Sequence, residues 1–433
     1  MNATPANTQS PPAAPGIFLP LHPLLLLLIC ASAFAVYWHT SFMIVARDTS
    51  TMFGADTWFY TELADGHIIA RLRSDYFLDR IFRFHPLTVF LAAGWLKLLS
   101  PLTAWFAPEE LLRAMFALTG ALGVWAAISA FATLLPRMQA ALWGVIYAAS
   151  LNIWYFSSIE ESKILSATLA TIYIAGWLHL RVNPSRRGFL FLSAILLLAC
   201  LNEIVAAFMV AVPAVDIFLR KGWNWRELRW LFPHALMAPL AYLLTQLLIY
   251  IFTSSTTPHA EGANHLDTLL WYIAQNSFSL ESLHAFAVRW LFFSIAAPEP
   301  NIYFANPAIQ YGGDFFPALW LYFVNPLPAI VALMAAGIFI ACFWREPDAA
   351  RTPLSPILLG LAAYALVRGV FFFFFIPKEY LLYSPSVTLA HLLLIAVPFA
   401  RSRLPGKPYV IAGFAAALIA SNAIFLWTVK AYG

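Results

Sequence analysis

The stretch FGADTWFY (53 to 60) sets one carboxylate, Asp56, among Phe53, Trp58 and Phe59. Aromatic neighbours desolvate a carboxyl group and raise its pKa toward the range in which it can take a proton near neutral pH. Asp is also a favoured helix N-cap, so a cap for a helix starting near Thr57 is the equal alternative. His85 precedes Pro86 in FRFHPLTVFL, where it could hydrogen-bond a hydroxyl or an anion, or be a solvated boundary residue at a helix start. Glu160, Glu161 and Lys163 form a dense charge cluster beside an apolar run. Charges at a membrane edge tend to face cavities, so at least one should be functional; mutually paired ions are the structural alternative.

Arg368 lies in LVRGVFFFFF between apolar flanks and needs an anion, either a protein carboxylate such as Glu203 or a bound phosphate. Lys378 and Tyr380 follow in IPKEYLLYSP, where the ammonium could reach a lipid phosphate or simply snorkel. His259, His265 and His284, with Glu261 and Asp267, match no metal-ligand spacing. One loop carboxylate is compatible with a divalent cation, but no spacing supports one, so the cofactor stays undefined.

The elements that must position these residues are set by composition. With 61% hydrophobic and 11% charged residues, the chain lies outside the range of soluble globular proteins. A bilayer core about 30 Å thick needs roughly 20 apolar residues per helix, and by that rule the chain offers about ten or eleven apolar segments. The expected fold is an all-α, polytopic helical membrane protein. Residues 1–16 should be a disordered tail, and 17–433 a single transmembrane domain with polar loops 46–84 and 253–316. Within the first loop, Glu62 to Phe84 shows roughly helical spacing of apolar and charged residues, as an interfacial helix would. Asn202 and Glu203 split two short apolar runs that should form a tight hairpin. Cys30, Cys200 and Cys342 sit in apolar runs and read as core or lipid-facing residues.

A net charge of +4 could suggest an anionic partner, but Lys and Arg cluster in short loops, which argues for topology and against nucleic acid. RVNPSRRG (181 to 188), RKGWNWRELR (220 to 229), WREPDAAR (344 to 351) and RSRLPGKP (401 to 408) should be cytoplasmic. That puts the loop 253–316 and the region of Lys378 outside. The loop 46–84 is undecided by charge. If it too lies outside, one apolar segment between Leu87 and Leu180 does not cross the membrane; if inside, all of them cross.

In order along the chain, a first span, GADTWFYTELADG, an interfacial helix, FRFHPLTVFL, SSIEESKILSATLATIYIAGWL and IPKEYLLYSPSVTLAHLLL resemble the GT-C superfamily of membrane glycosyltransferases, similar to the protein O-mannosyltransferase and lipid A aminoarabinose transferase types. The resemblance implies transfer of a hexose or pentose from a polyprenyl-phosphate carrier to a lipid, protein or glycan acceptor, at the periplasmic or lumenal face of the inner (plasma) membrane. It favours Asp56 as the base and assigns substrate binding to His85, Glu160, Glu161, Lys163, Arg368, Lys378 and Tyr380. Two features depart from the pattern. Thr57 and Trp58 stand where many members carry a second acid beside the loop Asp, and Asn202 and Glu203 stand where a lysine is common. A flippase or transporter of lipid-linked glycan is the alternative, and a non-catalytic membrane scaffold is a third reading.

Overall fold

The computed structural model describes residues 21–45, 57, 60, 82, 84–252, 273–274, 279–301, 319–344, 355–375 and 380–432. Among them the longer helices are α1 (Pro23–Val45), α2 (Pro86–Leu98), α3 (Pro108–Ala132), α4 (Arg137–Ala149), α5 (Leu151–Ser157), α6 (Lys163–Val182), α7 (Arg186–Asn202), α8 (Ala211–Lys221), α9 (Phe232–Phe252), α10 (Leu280–Ala287), α11 (Pro326–Ala341), α12 (Ser355–Phe375), α13 (Thr388–Ala400) and α14 (Lys407–Tyr432). No strand occurs among the described residues. Six helices are long and apolar enough to cross a membrane, and four shorter apolar helices accompany them. The chain is therefore an integral membrane protein of helical architecture. The tail 1–16 and, apart from Phe82 and Phe84, the interfacial helix expected over 62–84 fall outside the described residues.

Local sequence sets the helix ends. Pro at the first turn opens α2, α3 and α11, where its missing N–H would have been unpaired. Glu110 reaches back to accept from the Ala107 N–H at 3.0 Å, Ser185 accepts from the Gly188 N–H at 3.1 Å, and Asn325 accepts from the Leu327 N–H at 3.2 Å. Gly222 stops α8 with φ 65°, a conformation a side chain would strain. Close packing uses small residues, as membrane helices do. A Cβ at Gly360 of α12 would sit 2.6 Å from the Val212 carbonyl oxygen of α8, so only glycine permits this approach.

Contacts between helix ends define the two ends of the bundle. The Thr168 hydroxyl of α6 donates to the Thr119 carbonyl of α3 at 2.8 Å, and Arg113 near the start of α3 pairs with Glu160 just before α6. These two helices thus run parallel from one end of the bundle. α1 finishes there, with the Phe42 ring 5.1 Å from the Arg113 guanidinium, and α7 finishes there with Asn202 donating to the Ser162 carbonyl at 3.1 Å. At the far end of α6, Arg181 joins Arg220 on the buried Asp216 carboxylate. The 18 residue steps from Lys163 to Arg181 correspond to about 27 Å of helix, close to a bilayer core.

α2 behaves differently. Its 13 residues span only about 20 Å. His85 at its start touches Asn202, while Trp95 near its finish donates to the Leu111 carbonyl in the first turns of α3 at 2.8 Å. Both ends of α2 contact the same end of the bundle, so α2 lies along that end.

Two breaks lie inside the apolar body, where unpaired peptide groups would be costly. Between α4 and α5, the Leu151 and Asn152 N–H groups donate to the Ile295 and Ser294 carbonyls at 2.9 and 3.0 Å. Asn422 of α14 completes the junction, donating to the Ala149 and Ile295 carbonyls and accepting from the Ala297 N–H. At the second break, Asn202 and Glu203, the chain reverses as the expected hairpin requires, but its two arms do not pack tightly on each other. Glu203 is extended (φ −158°, ψ 109°) and leads into a 3-10 segment, Ile204–Val210, so α7 packs on α6 and α9 while α8 turns away to lie along α12.

Candidate active site at the meeting of the helix ends

A buried polar cluster occupies the end of the bundle at which α2, α6 and α13 begin and α7 and α12 finish. α2 brings His85 and Thr88, α6 brings Lys163 and Ser166, the α7 break brings Asn202 and Glu203, and α12 brings Arg368. A short turn, Tyr380–Tyr383, adds Tyr383. In so apolar a chain this concentration of charge needs internal pairing or a ligand.

Asn202, fully buried, is the hub. Its Nδ2 donates to the Ser162 carbonyl at 3.1 Å and the Ser166 hydroxyl at 2.8 Å, its Oδ1 accepts from the Thr88 hydroxyl, and its carbonyl accepts from His85 Nδ1 at 2.6 Å. Lys163 Nζ lies 3.3 Å from His85 Nε2 and 4.4 Å from the centre of the Tyr383 ring. Burial, with the Lys163 charge beside it, pushes the His85 pKa down to about 3, so the imidazole is neutral. Tyr383 stacks on Phe372 with centroids 4.0 Å apart, and the Arg368 guanidinium sits 5.0 Å from the Phe372 ring. Two cations from different helices thus flank one aromatic pair.

Arg368 Nη2 donates to Glu203 Oε2 at 2.8 Å. Burial works against the Glu203 carboxylate, but the Arg368 and Lys163 charges outweigh it and hold the pKa below the usual carboxylate range. The pair is incomplete, because Arg368 Nε and Nη1 and Glu203 Oε1 are buried with no hydrogen-bond partner among the described residues. Of the two anions read from the sequence as candidates for Arg368, the carboxylate is present, and donors remain for a second.

The acidic pair before α6 divides. Glu161 accepts from the Ser162 hydroxyl at 2.9 Å. Glu160 faces α3, where Arg113 Nε is 3.2 Å from its Oε1; that N–H also donates to the Glu109 carbonyl, so the ion pair lacks a well-aligned hydrogen bond. Burial, only partly offset by Arg113, lifts the Glu160 pKa from its ordinary 4.5 to about 7. Because the folded state then binds this proton more tightly than the unfolded chain, stability is full below pH 4.5 and declines as pH rises to 7. Glu160→Gln removes this dependence. Between pH 4.5 and pH 7, melting curves of the two proteins should diverge, the wild type losing on the order of 3 kcal/mol relative to the variant; parallel curves would contradict the assignment.

The structure therefore brings His85, Lys163 and Arg368 into one cluster and sets Glu160 beside it on Arg113. Asp56 and Lys378 fall outside the described residues, as does the side chain of Tyr380. Thr57 and Tyr60, which flank Asp56 in sequence, are buried, and the Tyr60 ring packs edge-on against Phe116 of α3 at 5.8 Å. Asn202, Thr88, Ser166 and Tyr383 were not singled out as site residues by sequence reasoning. The signal for Asn202 was its place beside Glu203 in an otherwise apolar run. Among the described residues no group of His, Cys, Asp or Glu could hold a metal ion, and none of the three cysteines is in a disulfide.

No protein-family model and no curated protein matches the sequence. By structure, the chain is similar to ArnT from Cupriavidus metallidurans bound to undecaprenyl phosphate, with a TM-score of 0.57 and 14% identity over 95% of this chain and 78% of that one. It is also similar to the same protein in the apo state, with a TM-score of 0.56 and 14% identity over 94% and 77% of the two chains. At such identity the likeness is one of fold alone, the fold of ArnT.

Proposed function

We propose that this chain, a membrane protein with the GT-C fold, transfers a sugar from a polyprenyl-phosphate carrier to an acceptor hydroxyl or amine at the non-cytoplasmic face. One observation carries the reading: Arg368 holds two buried donor nitrogens with no partner among the described residues, in the same cluster as Lys163, whose neighbours are a ring nitrogen and a ring face. Buried donors without acceptors are costly, and an anionic oxygen would satisfy them. The solved relative with undecaprenyl phosphate bound supports a phosphate of that kind.

In the proposed reaction Asp56 takes the proton from the acceptor, the acceptor atom attacks the anomeric carbon, and the carbon to phosphate-oxygen bond breaks on the opposite face. The electron pair leaves with the phosphate, whose growing charge Lys163, Arg368 and Lys378 stabilise. Glu160, Glu161 and Tyr380 are left to contact the sugar or acceptor. Sidedness is supported by the placement of basic residues. Arg181, Arg220 and their loops gather at the far end of the bundle, which by the positive-inside tendency faces the cytoplasm. A non-crossing α2 leaves loop 46–84 on the same side as the cluster.

A thermal-shift measurement on the purified protein tests this. Polyprenyl phosphate should raise the melting temperature, with about 2.7 kcal/mol of stabilisation at a hundredfold excess over Kd. The uncharged polyprenol should not, and Lys163→Met should lose the shift. An equal shift with polyprenol would rule out recognition of the phosphate.

A further inference from the structure

The cluster also shows how its lysine is aimed. The Asn202 carbonyl, which can only accept, lies against His85 Nδ1, so Nδ1 carries the ring proton. The lone pair is then on Nε2, facing Lys163 Nζ. Both ring nitrogens are occupied by protein, which leaves neither for a phosphate or an acceptor. The Asn202 carbonyl is itself fixed, since its side chain is tied to Thr88 of α2 and to Ser162 and Ser166 at the start of α6. Thr88 is one helical turn beyond His85, so α2, α7 and α6 are closed into a ring of hydrogen bonds through this one histidine.

We propose that His85 is a positioning residue, which accepts one N–H of Lys163 and thereby aims the rest of the ammonium at the anion. An ammonium carries three equivalent donors on a flexible stem and has no preferred direction of its own. Here His85 Nε2 takes one donor and the Tyr383 ring borders the charge on another side. The remaining N–H directions are the ones available to the carrier phosphate. The proposal rests on the reading of Lys163 as a phosphate ligand.

Two substitutions of similar size separate the nitrogens. In His85→Gln the amide can place an acceptor where Nε2 stood, whereas the shorter His85→Asn can reach the Asn202 carbonyl but not Lys163. With melting temperatures recorded beside the kinetics, His85→Asn should lower kcat/KM for the donor about tenfold or more, the scale of a lost hydrogen bond to a charged group. His85→Gln should stay within about threefold of wild type. In a Lys163→Met background His85→Asn should cost nothing further. Equal losses in the Gln and Asn variants, or an undiminished loss without Lys163, would overturn the proposal in favour of direct contact with substrate. Reductive methylation of the Lys163 amine, followed by mass spectrometry, reads the geometry independently of turnover: labelling should rise in His85→Asn and stay low in His85→Gln. Unchanged labelling in His85→Asn overturns the proposal. Full activity of Lys163→Met together with raised labelling would instead refute the phosphate reading and leave His85 as the residue that aims the lysine.

Discussion

Asp56→Asn should lower sugar transfer by roughly 10² to 10⁴-fold while carrier binding persists, because a positioned general base contributes about that factor to rate. Asn keeps the shape of Asp and one acceptor oxygen, so the variant removes little besides the capacity to take a proton. The competing role is that of an N-cap, in which Asp and Asn are nearly equivalent; there the change would cost only a few tenths of a kcal/mol in stability and nothing in turnover. Asp56→Ala discriminates less well, since it removes base and cap together. The chain just after Asp56 gives the experiment a firm frame, with Thr57 buried and Tyr60 packed on Phe116 of α3, one turn beyond the Arg113 that holds Glu160. Transfer measured with purified Asp56→Asn protein, with its melting temperature and its polyprenyl-phosphate shift recorded alongside, decides the matter. Near-normal transfer would make Asp56 a cap and leave the proposed reaction without its base.

What could be read from the sequence follows from how each signal is encoded. Membrane helices declare themselves through composition, because about 20 apolar residues are needed to cross and few other arrangements tolerate them. The order of motifs around His85, Lys163 and the Tyr383 turn was enough to point to the fold that the chain shares with ArnT. Arg368 was legible as a problem, a charge between apolar flanks, and Glu203 was named as one of its two candidate anions. Asn202 was harder to recognise. Its four partners lie up to 117 residues away in sequence, and an Asn at the end of an apolar run gives no periodic signal. The placement of α2 along one end of the bundle was legible only as one outcome of a parity conflict. Its 13 residues are apolar enough to resemble a span, and only the contacts of Trp95 and His85 with the same end of the bundle separate the cases. The reversal at Glu203 was legible but the separation of its two arms was not, because a two-residue polar interruption looks the same whether α8 packs back on α7 or, as here, lies along α12.

The double variant Arg368→Met with Glu203→Leu should fold and be nearly inactive, and the contrast with the single variants carries the information. Glu203→Leu alone leaves a buried guanidinium without its carboxylate, which costs about 3–5 kcal/mol, and Arg368→Met alone strands the carboxylate in the same way. Replacing both by apolar residues of similar volume removes the uncompensated charge, and such replacements are often neutral for stability. The melting temperature should therefore fall in either single variant and recover in the double. Activity should not recover with it. If Arg368 Nε and Nη1 are the donors that meet the leaving phosphate, their loss removes charge stabilisation that grows in the transition state, worth about 10² to 10³-fold for a single preorganised donor. A pair that served only packing would give the opposite result, a double variant that is stable and transfers sugar at the wild-type rate. The unpaired donors on Arg368 argue against that outcome, because a guanidinium kept only to hold Glu203 would have no use for two buried donor nitrogens that no described residue accepts.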